Sequence, residues 1–479
     1  MKSAAELGTL LLALVLASQG LAQNAPVSAD HPWHSSAEQN VERDAERMHG
    51  TEFAVDPTTT YTLAALVDLA EAHNPETRVA WEQARAQAAA LGVARSELYP
   101  TLAAAVLSQT QRYEVYLNTQ YYRQTQQTFD LALELSYTIF DFGARSGRID
   151  AAKAQLLAAN FAFNDVHRRL IFQVASDYYG LLNAVGQESA ARANLANAQA
   201  VQQAAEASLK NGLATLPDVL EAQSATAQAE YDLQAALGAE DVAHGNLATA
   251  LGASPTAAIQ VQPIEQIATP DAIEGTVEEA IDRAVLQRPD LMQQVAAIRA
   301  ADAQLKQARA AYFPTLTLDV QPAAQSLFAE QQQLPWGYGA DLDGGVNLGL
   351  KWTVFDGGAR KNAVAKAKAN VQAADAQADA IRDQIENGIW TAYSNLKTAL
   401  RQRQAAQAFL EAADQSYNAA LESYHYGVRN LLDVTDAQRT LARARSSDVL
   451  ARTQVLTALA DLAFQTGDAI QPGQRRPQP

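Results

Sequence analysis

Phe140-Asp141-Phe142-Gly143-Ala144-Arg145 returns 215 positions later as Phe355-Asp356-Gly357-Gly358-Ala359-Arg360. Ahead of the first copy, Phe129, Leu131, Leu133, Leu135, Tyr137 and Ile139 alternate with Asp130, Ala132, Glu134, Ser136 and Thr138. Ahead of the second, Val346, Leu348, Leu350, Trp352 and Val354 alternate with Asn347, Gly349, Lys351 and Thr353. Strict period two over about ten residues is the length and pattern of a tilted membrane β-strand. Behind each copy the alternation stops, and Ala- and Gln-rich sequence with little Gly or Pro runs over 143–210 and 360–425. That composition is helical, and such a helix would be about 100 Å long at 1.5 Å per residue. The hexapeptide therefore marks a junction between a strand with one apolar face and a very long helix.

Other landmarks keep that register to within one position. Tyr99-Pro100-Thr101-Leu102 returns as Phe313-Pro314-Thr315-Leu316, Asn211-Gly212-Leu213 as Tyr426-Gly427-Val428, and Asp218-Val219 as Asp433-Val434. Landmarks in fixed order at a fixed offset indicate a duplicated structural unit. Each unit opens with two helices separated by a proline, at Asn74-Pro75 and at Arg288-Pro289, and Thr276 with Glu279 has capping-box spacing. Leu316, Leu318 and Val320 form a further alternating run, and Thr101 to Gln111 a weaker partner strand.

The expected organisation is a signal peptide at 1–22, with Lys2, an apolar run from Leu10 to Ala17 and the small-x-small site Gly20-Leu21-Ala22. A polar leader occupies 23–60. Repeat 1 spans 61–252, with a β-hairpin at 101–139, a long helix at 143–210, a tip at 211–217 and a return helix. A linker fills 253–275. Repeat 2 spans 276–467, with a hairpin at 315–354, a long helix at 360–425, a tip at 426–431 and a return helix. Residues 468–479 form a disordered tail. The stretches 112–128 and 322–345, rich in Tyr, Gln, Gly and Pro, read as polar loops.

Composition excludes several functions. The net charge of −17 argues against a nucleic-acid partner. With no cysteine there is no disulfide, no thiol nucleophile and no lipidated Cys anchor. No run of 18 apolar residues follows the signal, so no transmembrane helix is expected. No phosphate loop or His/carboxylate cluster suggests an enzyme or a cofactor. His31, His34 and His49 in the leader are candidate metal ligands, but no carboxylate spacing completes a site, and a solvated segment is the simpler reading.

Four membrane strands per chain cannot close a barrel, and lipid does not tolerate an open edge. Two chains would give eight strands, an interior filled by side chains; three give twelve, the smallest count here that leaves a lumen. The helices must then continue the barrel as a second tube.

The double occurrence of Asn74-Pro75, Tyr99-Pro100, the two Phe-Asp-x-Gly-x-Arg junctions and the two helical tips resembles the outer-membrane efflux proteins of the TolC type, over about residues 60–467. The resemblance implies a mainly α fold with membrane β: a shared 12-stranded outer-membrane barrel on a long α-helical periplasmic tunnel. It implies a homotrimer in outer-membrane lipid, working with a periplasmic adaptor and a proton- or ATP-driven inner-membrane pump. Tyr424, Arg429, Asp433 and Asp436 match the family's gating turn, with Arg429 and Tyr424 holding the closed state against the neighbouring hairpin. Gly212, Leu213, Gly427 and Val428 match the tips that dock adaptor hairpins.

Asp433 and Asp436 share a helix face, so threefold symmetry would gather six carboxylates near one axis. Asp433 and Asp218 also have helix-capping spacing, whereas Asp436 has none and competes only with a solvated-face reading. Asp130, Glu134 and Asp319 should face the lumen and favour cations. Asp141 and Asp356 read as structural. The expected function is a passive exit duct for small toxic compounds. The alternatives are the outer-membrane part of type I protein secretion, or a periplasmic coiled-coil protein without a pore.

Overall fold

A computed structural model describes residues 38–47, 53–117, 120–270, 272–273, 276–331 and 336–468. The expected signal peptide, His31, His34 and His49, and residues 469–479 of the expected tail lie outside the described residues. Helix α1 (Glu38–Arg47) belongs to one unit, and everything from Val55 onward forms a second.

In that second unit the alternating runs form four strands, β2 (Thr101–Leu117), β3 (Gln120–Phe140), β5 (Thr315–Gln331) and β6 (Gly337–Lys351). They pair antiparallel in the order β2-β3-β5-β6. Leu102 stands opposite Leu135, Leu135 opposite Val320, and Val320 opposite Val346, so one apolar row crosses the whole sheet. The next row is polar: Ser136 faces Asp319 and Asp319 faces Asn347, and the Ser136 hydroxyl donates to Asp319 Oδ1 at 2.7 Å. Register is fixed because a one-residue slip would turn every apolar side chain to the other face. β2 and β6 are free edges, so the sheet of one chain is open.

The strands are longer than the alternation indicates. Most of 112–128 and 322–345, read from sequence as loops, is paired strand. A strand of 17 residues tilted by about 40° rises roughly 43 Å, well beyond an apolar band of about 25 Å. Outside the hydrocarbon the backbone ladder still holds the hairpin, but nothing requires an apolar face. Conversely β6 stops at Lys351, so Trp352 and Val354 belong to the turn, where the Trp352 indole donates to the Tyr312 carbonyl at 3.1 Å. Aromatic residues collect at both ends of the apolar rows. Tyr99, Phe140, Phe313, Trp352 and Phe355 are exposed beside the helices, and Phe328 and Tyr338 lie toward the other end, while Tyr116 and Tyr121 stand further out at the hairpin tip, past Arg112, Glu114 and Arg123. This is the pattern of interfacial girdles.

Helices α4 (Ala144–Lys210) and α8 (Ala359–His425) are 67 residues each, about 100 Å. Each folds back on a return helix, α5 (Leu216–Ala250) and α9 (Leu431–Thr466). α4 packs on α5, α8 on α9, and α4 on α9. Helices of this length are stable only through lateral packing. Small residues supply it: Val201, Ala205 and Ala222 in one hairpin join Ala413, Tyr417, Ala420, Val434 and Ala444 of the other in a common core.

Paired shorter helices, α2 (Leu63–His73) with α3 (Pro75–Ser96) and α6 (Val277–Gln287) with α7 (Pro289–Ala310), precede the strands. Asn74 caps α3 through its Oδ1 and the Glu76 amide at 2.8 Å, and its Nδ2 donates to the Ala250 carbonyl at 2.9 Å. The leader and linker regions meet in a short parallel pair, β1 (Thr60–Tyr61) with β4 (Gln260–Val261). Neither of these strands was legible in the sequence.

At Arg288, the counterpart of Asn74, the joint is ionic. Arg288 donates to both oxygens of Asp290 at 3.0 and 2.6 Å and to the Gln465 carbonyl at 2.9 Å. Arg168, almost wholly buried on α4, donates to Asp165 at 2.6 Å, to Asp290 at 3.4 Å and to the Phe464 carbonyl at 2.8 Å. Burial raises the Asp290 carboxyl, but the hydrogen bonds and charges of Arg288 and Arg168 outweigh it and hold Asp290 below its ordinary value.

Candidate functional site: barrel wall, junctions and helical tips

On the sheet face opposite the apolar rows stand Asp130, Glu134 and Asp319. Glu134 accepts from Gln321 Nε2 at 3.3 Å. Because the hairpins are longer than expected, Asp341 and Asp343 join the same face, opposite Gln325 and Ala323. The sequence reading missed them inside a presumed loop, although each flanks Leu342 in period two. Five carboxylates thus stand against one lysine, Lys351, among the strand residues of that face.

At the junctions each aspartate organises the strand-to-helix turn. Asp356 accepts from the amides of Gly358 at 3.0 Å and Arg360 at 2.9 Å, and from Arg360 Nε at 2.7 Å; these bonds lower its pKa. Asp141 likewise accepts hydrogen bonds from the Gly143 amide and from the Arg145 amide and Nε. The two arginines also donate to the carbonyls of Ile139 and Val354, fastening the last strand residues to the helix. Phe142 takes a left-handed φ of +50° where the second copy has Gly357, and it stacks on Phe313 at 5.0 Å.

At the first tip, α4 ends with Gly212 at φ +74°, and the Leu213 amide donates back to the Ser208 carbonyl at 2.8 Å. Only glycine adopts this turn without strain. Thr215 and Asp218 then form a capping box, with Asp218 Oδ2 accepting from the Thr215 amide at 2.8 Å and hydroxyl at 2.7 Å. Those bonds, the hydroxyl first, lower the Asp218 pKa.

The second tip repeats the backbone: Gly427 at φ +71°, and Val428 N to Ser423 O at 2.9 Å. Asn430 Oδ1 accepts from the Asp433 amide at 2.9 Å. No return bond from the Asp433 carboxylate occurs among the described residues. Leu213 and Val428 are 83% and 77% exposed, so both tips end in bare aliphatic groups. Tyr424 packs partly against the hairpin core, whereas Arg429 is exposed and makes no ion pair among the described residues. Asp433 is half-buried and Asp436 exposed, one turn apart on α9. Asp436 pairs with Arg439 at 3.2 Å, and Arg439 reaches Glu221 on α5 at 2.7 Å, a link between hairpins that the sequence reading did not anticipate.

Among the described residues no His/Cys/Asp/Glu group has metal-site geometry, and no helix is long and apolar enough to cross a membrane. The family model "Outer membrane efflux protein" matches residues 66–253 and 280–468, one segment in each repeat. The chain is 30% identical over 403 residues to Protein CyaE of Bordetella pertussis, covering 84% of this chain and 83% of that protein. It is 27% identical over 481 residues to Outer membrane protein OprJ of Pseudomonas aeruginosa, covering 96% and 95%. A crystal structure of a membrane protein from Pseudomonas aeruginosa superposes with a TM-score of 0.74 at 25% identity, over 87% of this chain and 91% of that one. The outer membrane protein VceC of Vibrio cholerae shares the fold, with a TM-score of 0.71 at 19% identity over 85% and 96%.

Proposed function

Since the chain belongs to the outer membrane efflux protein family, with its barrel in the outer membrane and its helices in the periplasm, we propose that three copies close a 12-stranded barrel and form a passive exit duct. The carrying observation is the open four-stranded sheet, apolar on one face and acidic on the other, whose strands run directly into 67-residue helices. An open edge in lipid needs a partner strand, and β6 of one copy supplies it to β2 of the next.

Asp130, Glu134, Asp319, Asp341 and Asp343 line the lumen and favour cations. Asp433 and Asp436 of three copies form the carboxylate ring at the periplasmic aperture, with Tyr424 and Arg429 bonding the neighbouring hairpin in the closed state. Gly212-Leu213 and Gly427-Val428 seat the hairpins of a periplasmic adaptor, to which the bare aliphatic side chains offer apolar contact.

The matched family is one of efflux channels rather than enzymes. Cargo is small toxic compounds delivered by an inner-membrane pump. Relatives named for pyoverdine export and for cation efflux match this chain at 25–29% identity, consistent with selection by the pump rather than the duct. The test is reversal potential across planar bilayers holding the purified protein under a KCl gradient. A cation-selective pore is expected; a folded, inserted protein that conducts nothing would sink the reading.

A further inference from the structure

Helix α9 runs between α4 and α8, and the three helices line a trough of 640 Å³. α9 forms its floor through Thr457, Ala458 and Asp461, α4 one wall through Phe172 and Tyr179, and α8 the other through Asn395 and Gln402. That volume suits one small organic molecule.

The direction in which the trough opens follows from the opposite face of the same helices. Tyr178, one residue and about 100° round α4 from Tyr179, is buried, and its hydroxyl donates to the Gln262 carbonyl of the linker at 3.5 Å. Ile273, near the far end of the linker, packs with Leu459 and Leu462 of α9. The linker is therefore a strap laid across the helices on the side away from the trough. A strap across the inside would obstruct a duct, so it runs outside and the trough opens inward.

The chemistry of the trough is one-sided. Of the residues lining it, Asp461 alone carries a charge. Its Oδ1 accepts from Gln465 Nε2 at 3.2 Å, and it makes no ion pair among the described residues. The Asn395, Gln402 and Gln454 amides make no side-chain hydrogen bond among the described residues. Phe172 is held by stacking on Phe464 at 4.7 Å, and Tyr179 by an edge contact with Tyr178 at 5.3 Å. Both rings are thus in place without an occupant. Burial pushes the Tyr179 phenol up, which keeps that ring neutral.

The duplication sets this group apart. The positions 215 residues from Phe172, Tyr179 and Asp461 hold Asn387, Ser394 and Asn246. Packing of the long helices therefore does not require two rings and a carboxylate at these positions.

We propose that the trough binds an amphipathic organic cation, its planar apolar body against Phe172 and Tyr179 and its positive group turned to Asp461. Aromatic faces attract cations, and an unpaired carboxylate disfavours organic anions. The inference rests on the duct proposed above and names a class of cargo for it. The pump chooses the cargo, and the trough gives it a resting place on the wall.

Ethidium, a planar aromatic cation, is the probe. Followed by fluorescence anisotropy on the purified protein, it should saturate at one per chain, and naphthalene sulfonate, an aromatic anion, should not compete. Asp461→Asn should weaken binding about tenfold and Tyr179→Leu about threefold. Thr457→Arg, which supplies the trough with a guanidinium of its own, should abolish saturation. Asp319→Asn, on the barrel wall, should leave the affinity within about twofold, because a distant exposed charge is screened. Thermal unfolding shows that each variant is folded. Ethidium binding without saturation, a folded Asp461→Asn or Thr457→Arg variant that binds as the wild type does, or an equal loss in Asp319→Asn overturns the site. If such a protein still conducts in planar bilayers, the duct stands. Asp461-dependent binding in a protein that conducts nothing keeps the trough and sinks the duct.

Discussion

At the tip of the first hairpin Thr215 and Asp218 close on each other through amide and hydroxyl, whereas at the second Asn430 caps the helix and the Asp433 carboxylate makes no return bond. The backbones are alike, with Gly212 and Gly427 in the same left-handed turn and the same six-residue return bond. Duplication thus preserved the turn and changed who satisfies it. In the first tip the carboxylate is consumed by its own helix. In the second the Asn430 side-chain oxygen accepts from the Asp433 amide instead, and the Asp433 carboxylate makes no bond among the described residues. Two identical turns therefore carry different functional capacity, and the difference rests on one capping residue.

The joints at the other end of the helices diverge further, and there the largest effect is expected. Arg168→Ala removes a buried guanidinium and its bonds to Asp165, Asp290 and the Phe464 carbonyl, while Arg169 and Arg288 still hold the two carboxylates, and should cost about 3 kcal/mol in thermal or denaturant unfolding. Asn74→Ala, at the corresponding joint of the first copy, removes a cap and one buried bond and should cost about 1–2 kcal/mol. Equal losses would break the contrast between an ionic and a neutral joint. At the tips, Asp218→Ala should lower stability by about 1 kcal/mol, read as faster amide exchange at 215–219, while Asp433→Ala should stay within about 0.5 kcal/mol.

Acidification sharpens the same comparison with a smaller effect. The Asp218 pKa is depressed in the folded state, so its contribution is present above the ordinary carboxylate value near 3.9 and is lost as pH falls through the depressed one. Exchange at the first tip should accelerate in that range relative to the second, whose cap does not titrate.

Much of this architecture was legible because two periodicities and one offset are strong signals. Leu131-Leu133-Leu135 fixes a strand and its lipid face, and the return of Phe-Asp-x-Gly-Ala-Arg fixes the duplication. What escaped the sequence had no period to show it. The outer halves of the hairpins, including Asp341 and Asp343, are held by backbone pairing and scattered cross-strand contacts such as Tyr116 on Tyr121, which need no continuous apolar period. Nothing in the spacing of Arg168 and Asp165 marks them as buried, since only the fold brings Arg288, Asp290 and the Phe464 carbonyl to them. Arg288 standing where the first copy has Asn74 was the available hint. The tip residues were found by matching the turn, but the difference between a consumed and a free carboxylate depends on hydrogen bonds that spacing alone does not distinguish.

The most direct test of a duct gated at its second tip is single-channel recording of the wild type, Asp433→Ala/Asp436→Ala and Asp218→Ala in planar bilayers. The account predicts a small cation-selective conductance in the wild type. It predicts larger conductance, altered selectivity or loss of block by divalent cations in the double variant, and no change with Asp218→Ala. A double variant indistinguishable from wild type, or an Asp218→Ala variant that reproduces its effect, would contradict it.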